Sequence, residues 1–286
     1  MQSIHDNKTQ SLVELPRGHR AISLKWVYKV KRNENGDIVK YKVRLVAKGY
    51  VQRPGVDFEE VYALVARLES VRLVLAIGAH YGWSIHHMDV KSAFLNGELQ
   101  EEVYVQQPPG FVDGKHKHKV LRLHKVLYGL RQAPRAWNHK LDAELLALGF
   151  KRCIDEHDIY THGSGAQRLI VGIYVDDLII TGGNDDAMAR FKGQMLRTFR
   201  MSDLGLLSYY LGLEVTQGAH GITLRQSAYA IKILEKAGLA GCNASAMPME
   251  MRLKLPKEGT TPSVDATEYR SLIESLRYLC NSRPDL

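Results

Sequence analysis

The chain has 286 residues, 45% hydrophobic and 24% charged, with a formal charge of +8 and a pI near 9.3. These proportions exclude a collagen, a coiled coil and wholesale disorder, and a chain this long buries roughly 75% of its unfolded surface without disulfide staples. The basic balance asks for an acidic partner, nucleic acid or an anionic membrane surface first, while three widely spaced cysteines (Cys153, Cys242, Cys280) argue against a disulfide framework or a zinc site and for a reducing compartment.

The N-terminal stretch, Met1 to Gln10, is polar and lacks the apolar core of a signal peptide. The longest apolar runs, such as Leu169 to Val175, are far too short to span a bilayer, so a soluble intracellular protein with no membrane partner is expected. Positive charge is concentrated in two zones. Arg17 to Arg53 holds eleven Lys or Arg against two acids, and Lys115 to Lys140 holds eight and no acid. Together they carry +17 against a total of +8, leaving the remainder acidic by nine charges. Two such zones suggest a polyanion held between two structural elements; solvated lysine faces are the blander alternative.

Leu24 to Ala47 reads as a β-hairpin. Leu24, Trp26, Tyr28 and Val30 alternate with Lys25, Val27, Lys29 and Lys31, and Val39, Tyr41, Val43 and Leu45 alternate with Lys40, Lys42 and Arg44. Period two puts one apolar face on a core and leaves one basic face wet, with Asn35-Gly36 as the turn. Leu68 to Tyr81 suits an amphipathic helix, and Ser84 to Val90 a strand that delivers Asp89 near its end. His86 and His87 on that strand point to opposite faces, which disfavours a shared metal. Val103 to Gln106 is expected as a short strand, followed by a turn at Pro108-Pro109-Gly110. His116, His118 and His124 fall in a basic loop, suited to solvent or phosphate contact. Pro134 opens a helix running to Leu148, anchored by Trp137 and stopped by Gly149. Leu169 to Val175 and Leu178 to Ile180 are buried strands with Asp176-Asp177 between them. Asn184 caps a helix to about Phe199. Tyr209 to Val215 follows as a strand, Gln217 to Gly221 as a turn and Ser227 to Ala237 as a helix. Ser245 to Asp265 is a linker, and Thr267 to Leu279 a last helix. Helices interleaved with hairpin-like strands give an α+β fold.

Adjacent aspartates at a hairpin tip have two readings. Asp is a good turn residue, or the pair carries chemistry. Asp185-Asp186 is an internal control, because it follows an N-cap and complements the helix dipole. Asp176-Asp177 keeps different company: Asp89 ends another strand and precedes Val90-Lys91-Ser92-Ala93-Phe94. Three clustered carboxylates repel and raise their pKa values unless a cation is present. Mg²⁺ is held by only one or two carboxylates plus substrate phosphates, and two such ions about 4 Å apart activate a hydroxyl and stabilise a leaving oxygen. With two basic zones, this chemistry points to nucleotidyl transfer on a nucleic-acid end.

Tyr174-Val175-Asp176-Asp177 is similar to the YxDD box of reverse transcriptases. The stretches Asp89 to Gly97, Leu127 to Trp137 and Tyr210 to Val215 occur in the order expected of the copia-type LTR-retrotransposon family. Lys42 to Gly49 resembles that family's fingers strand, and Tyr269 to Leu272 through Arg283-Pro284-Asp285 its C-terminal end. The match covers nearly the whole chain. It implies an RNA-directed DNA polymerase that extends a primer 3′ end on an RNA or DNA template with dNTPs, using two Mg²⁺ ions with Mn²⁺ as the alternative. It also implies a right-hand architecture: residues 1–83 as N-terminal segment and fingers with the hairpin 24–47, 84–215 as palm with a fingers segment near 103–135, and 216–286 as thumb and the start of a tether. Asp89, Asp176 and Asp177 would be the catalytic triad and the metal-binding carboxylates, with Asp89 and Asp176 the shared ligands, assisted by the Val90 carbonyl. Lys42, Arg44 and Lys48 would cover the triphosphate. Tyr128, Gly129 and Gln132 would line the nucleotide and template side, while Tyr174, Arg131 and Arg135 would meet the nucleic acid and Leu211-Gly212 would resemble a primer grip. Phe94 sits where the family excludes a ribose 2′-OH; a core aromatic is its other reading.

Three positions depart from the family pattern: Gln10 for a usual Trp, Leu64 for a Pro and Glu274 for a Gly. The Gag, protease, integrase and RNase H regions are missing, so an excised fragment is expected. It would act in the cytoplasm in a virus-like particle context, with the nucleus as the alternative. The other readings are an inactive remnant that binds nucleic acid and another palm-type enzyme such as a nucleotide cyclase.

Overall fold

The computed structural model describes residues 4, 6–32, 37–63, 66–245, 247, 249, 252–254, 259, 263–283 and 285. The expected turn at Asn35-Gly36 and the substitution at Leu64 lie outside them. The chain divides into two units, Met1–Leu206 and Leu207–Leu286.

In the first unit the central element is a six-stranded antiparallel sheet. Its strands are β4 (Ile85–Val90), β7 (Lys151–Arg152), β8 (Ile159–His162), β9 (Leu169–Tyr174), β10 (Asp177–Gly182) and β11 (Met201–Leu206), in the order β11-β4-β10-β9-β8-β7. Period-two alternation gives β4 two faces. Met88 and Val90 join Leu178, Ile180, Val171 and Ile173 in a buried cluster. Helices α2 (Ala133–Ala147) and α3 (Asp185–Thr198) complete it with Trp137, Leu141, Leu145, Phe191 and Met195. Helix α1 (Leu68–Tyr81) meets the opposite face, where a Cβ at Gly78 would lie 2.4 Å from Ile85 Cδ1. As expected, Asn184 caps α3, its Oδ1 accepting from the Ala187 N–H at 2.7 Å.

A second sheet, β1-β6-β5, comprises β1 (Gln10–Val13), β5 (Glu98–Val105) and β6 (Val120–Lys125). Its cluster takes in Ile22, Leu24, Leu45, Val105, Leu123 and Leu127, so the base of the hairpin formed by β2 (Leu24–Arg32) and β3 (Ile38–Ala47) is packed. The rest of that hairpin's apolar face is not on a core as expected: Tyr28 is 72% and Tyr41 70% exposed. The arms extend past the sheet that buries their base, and alternation alone does not say where the covering layer stops. His124 lies within β6 rather than in a loop, its ring 2.9 Å from Ser11 Oγ.

The second unit holds the sheet β12-β13-β14, made of β12 (Tyr209–Tyr210), β13 (Leu213–Gly218) and β14 (Gly221–Arg225). The helices α4 (Ser227–Lys236) and α5 (Ala266–Leu279) belong to the same unit. The single strand expected over Tyr209–Val215 is two, separated by Leu211-Gly212 with φ of 49° and 80°. Gly212 tolerates that conformation, and the Tyr278 hydroxyl donates to the Leu211 carbonyl and holds the turn. The expected 215/216 boundary falls inside β13. Glu274 stays solvated on α5, 3.1 Å from Arg277. Among the described residues no helix is long and apolar enough to cross a membrane.

Candidate active site

Strands β4 and β10 pair antiparallel with Asp89 opposite Asp177. Tyr174 pairs with Asp177, so only Val175 and Asp176 form the turn between β9 and β10. Direct cross-strand partners share a face, and the three carboxylates thus gather at one end of the sheet. Val175 has φ of 57°, which is strained for a β-branched residue. The turn is held from behind: the indole N–H of Trp137, 2% exposed on α2, donates to the Val175 carbonyl at 2.7 Å.

Asp89, Val90, Lys91, Ser92 and Asp176 line a pocket of about 340 Å³. Its opposite wall is the basic face of the hairpin, with Lys31, Lys40, Lys42 and Arg44. The register sets Lys29 against Lys42 and Lys31 against Lys40, like charges directly across the ladder. Burial, then Arg44 and Lys31, holds the Lys42 ammonium below its ordinary range, while Asp176 and Asp89 pull the other way. The wall is therefore in electrostatic contact with the carboxylates it faces.

Asp176 is pushed up, first by burial, then by repulsion from Asp177 and Asp89. Asp89 pairs with the Lys91 ammonium. The Lys91 ammonium already offsets one carboxylate, and burial with repulsion disfavours the charge on another, so this donor set suits a hard cation with oxygen ligands. Among the described residues no three His, Cys, Asp or Glu form a ready-made cage. Of the three aspartates, Asp89 and Asp176 line the pocket, which fits Mg²⁺ held by two carboxylates and substrate oxygens. Asp177 reaches instead to the His87 ring, Oδ1 to Nε2 at 2.8 Å.

The structure places the other expected residues less uniformly. Tyr128 lines the pocket under Arg44, whose guanidinium lies 5.4 Å from the ring centroid. Burial raises its hydroxyl pKa. Gly129 positions that segment: with φ of 89°, a Cβ there would come within 2.2 Å of the Ala47 carbonyl oxygen. The close approach lets the Ala47 N–H donate to the Tyr128 carbonyl at 2.7 Å. Phe94 packs behind, 5.1 Å from the Tyr128 ring and against both hydrophobic clusters, without lining the pocket. Lys48 and half-buried Tyr174 also lie outside its lining.

Gln132 is 2% exposed and elsewhere engaged, its Oε1 accepting from Gln52 Nε2 at 3.0 Å and its Nε2 donating to the Asp57 carbonyl at 3.1 Å. Arg131 donates to the Gly49 carbonyl at 3.2 Å, and Arg135 pairs with Glu60 at 2.5 Å. Gln132 and Arg135 line a separate groove beside Glu98 and Glu101. Leu211 and Gly212 belong to the second unit. Sequence reasoning missed Lys91, His87 and the reach of Trp137. Only His87 had a local signal, since alternation sets it on the face of Asp89.

A family model described as reverse transcriptase (RNA-dependent DNA polymerase) matches residues 7–251. The chain is 37% identical over 281 residues to the retrovirus-related Pol polyprotein from transposon RE1 of Arabidopsis thaliana, covering 98% of this chain and 19% of that protein. It is 38% identical over 281 residues to the Pol polyprotein from transposon RE2 of the same plant, with the same coverage. It is 35% identical over 296 residues to the one from transposon TNT 1-94 of Nicotiana tabacum, covering 100% of this chain and 22% of that protein. The chain thus spans about a fifth of the length of these relatives.

Proposed function

The chain belongs to the reverse transcriptase (RNA-dependent DNA polymerase) family, among the copia-type retrotransposon Pol regions, and on that premise we propose that it extends a primer 3′ end with dNTPs on an RNA or DNA template. The observation that carries this reading is the register of β4 and β10, which sets Asp89 opposite Asp177 beside Asp176 and under a wall of four cations.

On this reading the hairpin and a segment near 103–135 act as fingers, the rest of the first unit from residue 84 as palm, and the second unit as thumb. Lys31, Lys40, Lys42 and Arg44 neutralise the triphosphate as it enters, relieving their mutual repulsion. Asp89 and Asp176, with the Val90 carbonyl, would hold Mg²⁺, or Mn²⁺ in its place. When bound, such ions lower the pKa of the primer hydroxyl and stabilise charge on the leaving pyrophosphate oxygen. Lys91, which pairs with Asp89, would have to give up that carboxylate for it to hold such an ion. Arg44 and Phe94 fix the Tyr128 ring at the edge of the pocket, where it would meet the sugar and base.

The test is primer extension on a primed RNA template with Mg²⁺. Wild type should extend, while Asp89→Asn and Asp176→Asn should each lose at least about 10³-fold, with template binding retained. Binding without extension by wild type would favour the inactive nucleic-acid-binding fragment. Cyclisation of a nucleoside triphosphate without template would favour a cyclase.

A further inference from the structure

We propose that His87 is a positioning residue that holds Asp177 out of the nucleotide pocket and so fixes a donor set of two carboxylates. The inference rests on the polymerase reading above. His87 precedes Asp89 by two residues on β4, so both side chains leave the same face. Asp89 pairs with Asp177 and His87 with Ile179, which makes His87 and Asp177 diagonal neighbours across the ladder. Their Nε2 and Oδ1 atoms are 2.8 Å apart. An ionised carboxylate only accepts, so the ring donates from Nε2. The side chains are 12% and 29% exposed, so the bond is largely shielded from competing water.

The consequence is geometric. Asp176 and Asp177 are adjacent in sequence, and Asp176 lies close enough to both Asp177 and Asp89 to be repelled by each. Yet Asp89 and Asp176 line the pocket and Asp177 does not. Its carboxylate is drawn back along β4 toward position 87. The imidazole is what draws it there, and without that donor a cation in the pocket would draw it in as a third ligand. That would tighten cation binding and displace the oxygens that substrate phosphates need.

The experiment uses the full chain and Mn²⁺ alone, with bound ion read by electron paramagnetic resonance. His87→Leu removes the donor at similar volume, and His87→Gln keeps an N–H at similar reach. His87→Leu should bind Mn²⁺ about tenfold tighter while extending primers 10- to 100-fold more slowly in kcat, with the dNTP KM within about threefold. His87→Gln should stay near wild type in both. Adding Asp177→Asn to His87→Leu should return Mn²⁺ affinity to the wild-type value, the signature of a coupled pair. A purely structural role would lower the melting temperature without tightening the ion, and unchanged or weaker Mn²⁺ binding overturns the proposal. So does tightening that survives Asp177→Asn. If His87→Leu does not fold, His87→Asn, too short to span the gap, replaces it with the same expectations. Asp89→Asn is the control: Mn²⁺ binding that ignores it means the ion is elsewhere, and the polymerase reading fails rather than the role of His87.

Discussion

A half-buried aspartate beside two others keeps its proton to higher pH than a free one, and Asp176 is in that position. The sign for stability follows. Above its raised folded pKa, Asp176 is ionised at a site that disfavours the charge, which opposes folding. The penalty fades as pH falls through that pKa and is gone below about pH 4, where the unfolded carboxyl is protonated too. Asp176→Asn is therefore expected to raise the melting temperature of the metal-free chain at pH 7, with the gain shrinking on acidification. Calorimetry across that range checks it, and a lower melting temperature at pH 7 would contradict it. Gln10 shows a different conflict at the same scale. The Gln10 Oε1 is buried without a hydrogen-bond partner among the described residues, an arrangement that costs about 1–3 kcal/mol. Such a defect is invisible in sequence, because Gln on an edge strand is unremarkable until the covering residues are known.

At the scale of elements, the β9–β10 turn combines a strained residue with a distant support. Trp137→Phe keeps most of the ring packing but removes the indole N–H that donates to the Val175 carbonyl. Stability should fall by about 1–3 kcal/mol, and kcat for extension by roughly 10- to 100-fold through misplacement of Asp176. A stopped-flow and melting comparison separates the two; loss of stability with kcat intact would show that the turn holds its shape unaided. The hairpin shows how far patterning reaches. Its alternation and its basic face were legible, because both arms follow period two. That its outer apolar half lacks a covering layer was not legible, since this depends on where a separate three-stranded sheet ends. The single strand expected over 209–215 failed for a related reason. Leu211 has no turn signal of its own and takes a positive φ while Tyr278, far along the chain, holds its carbonyl.

For the whole molecule the charge distribution makes its own prediction. With +17 in two stretches on an otherwise acidic chain, affinity for a primed template should drop by about 10-fold or more between 50 and 200 mM salt. Asp89→Asn should keep the same salt slope while abolishing extension, because phosphate neutralisation and chemistry use different groups. Fluorescence anisotropy against salt measures this, and a salt-independent affinity would remove electrostatics as the basis of binding. From its amino acids alone the chain declared its α+β class, its strand-and-turn grammar, its basic zones and its membership of a polymerase family. Those properties rest on neighbours a few residues apart and on short ordered boxes. Only the folded chain decided that Asp89 faces Asp177, that Gln132 is engaged by Gln52 and Asp57, and that His87 claims Asp177 from 90 positions away. Contacts over such separations are set by which sheets pair and which faces they bury, and no local pattern encodes that choice.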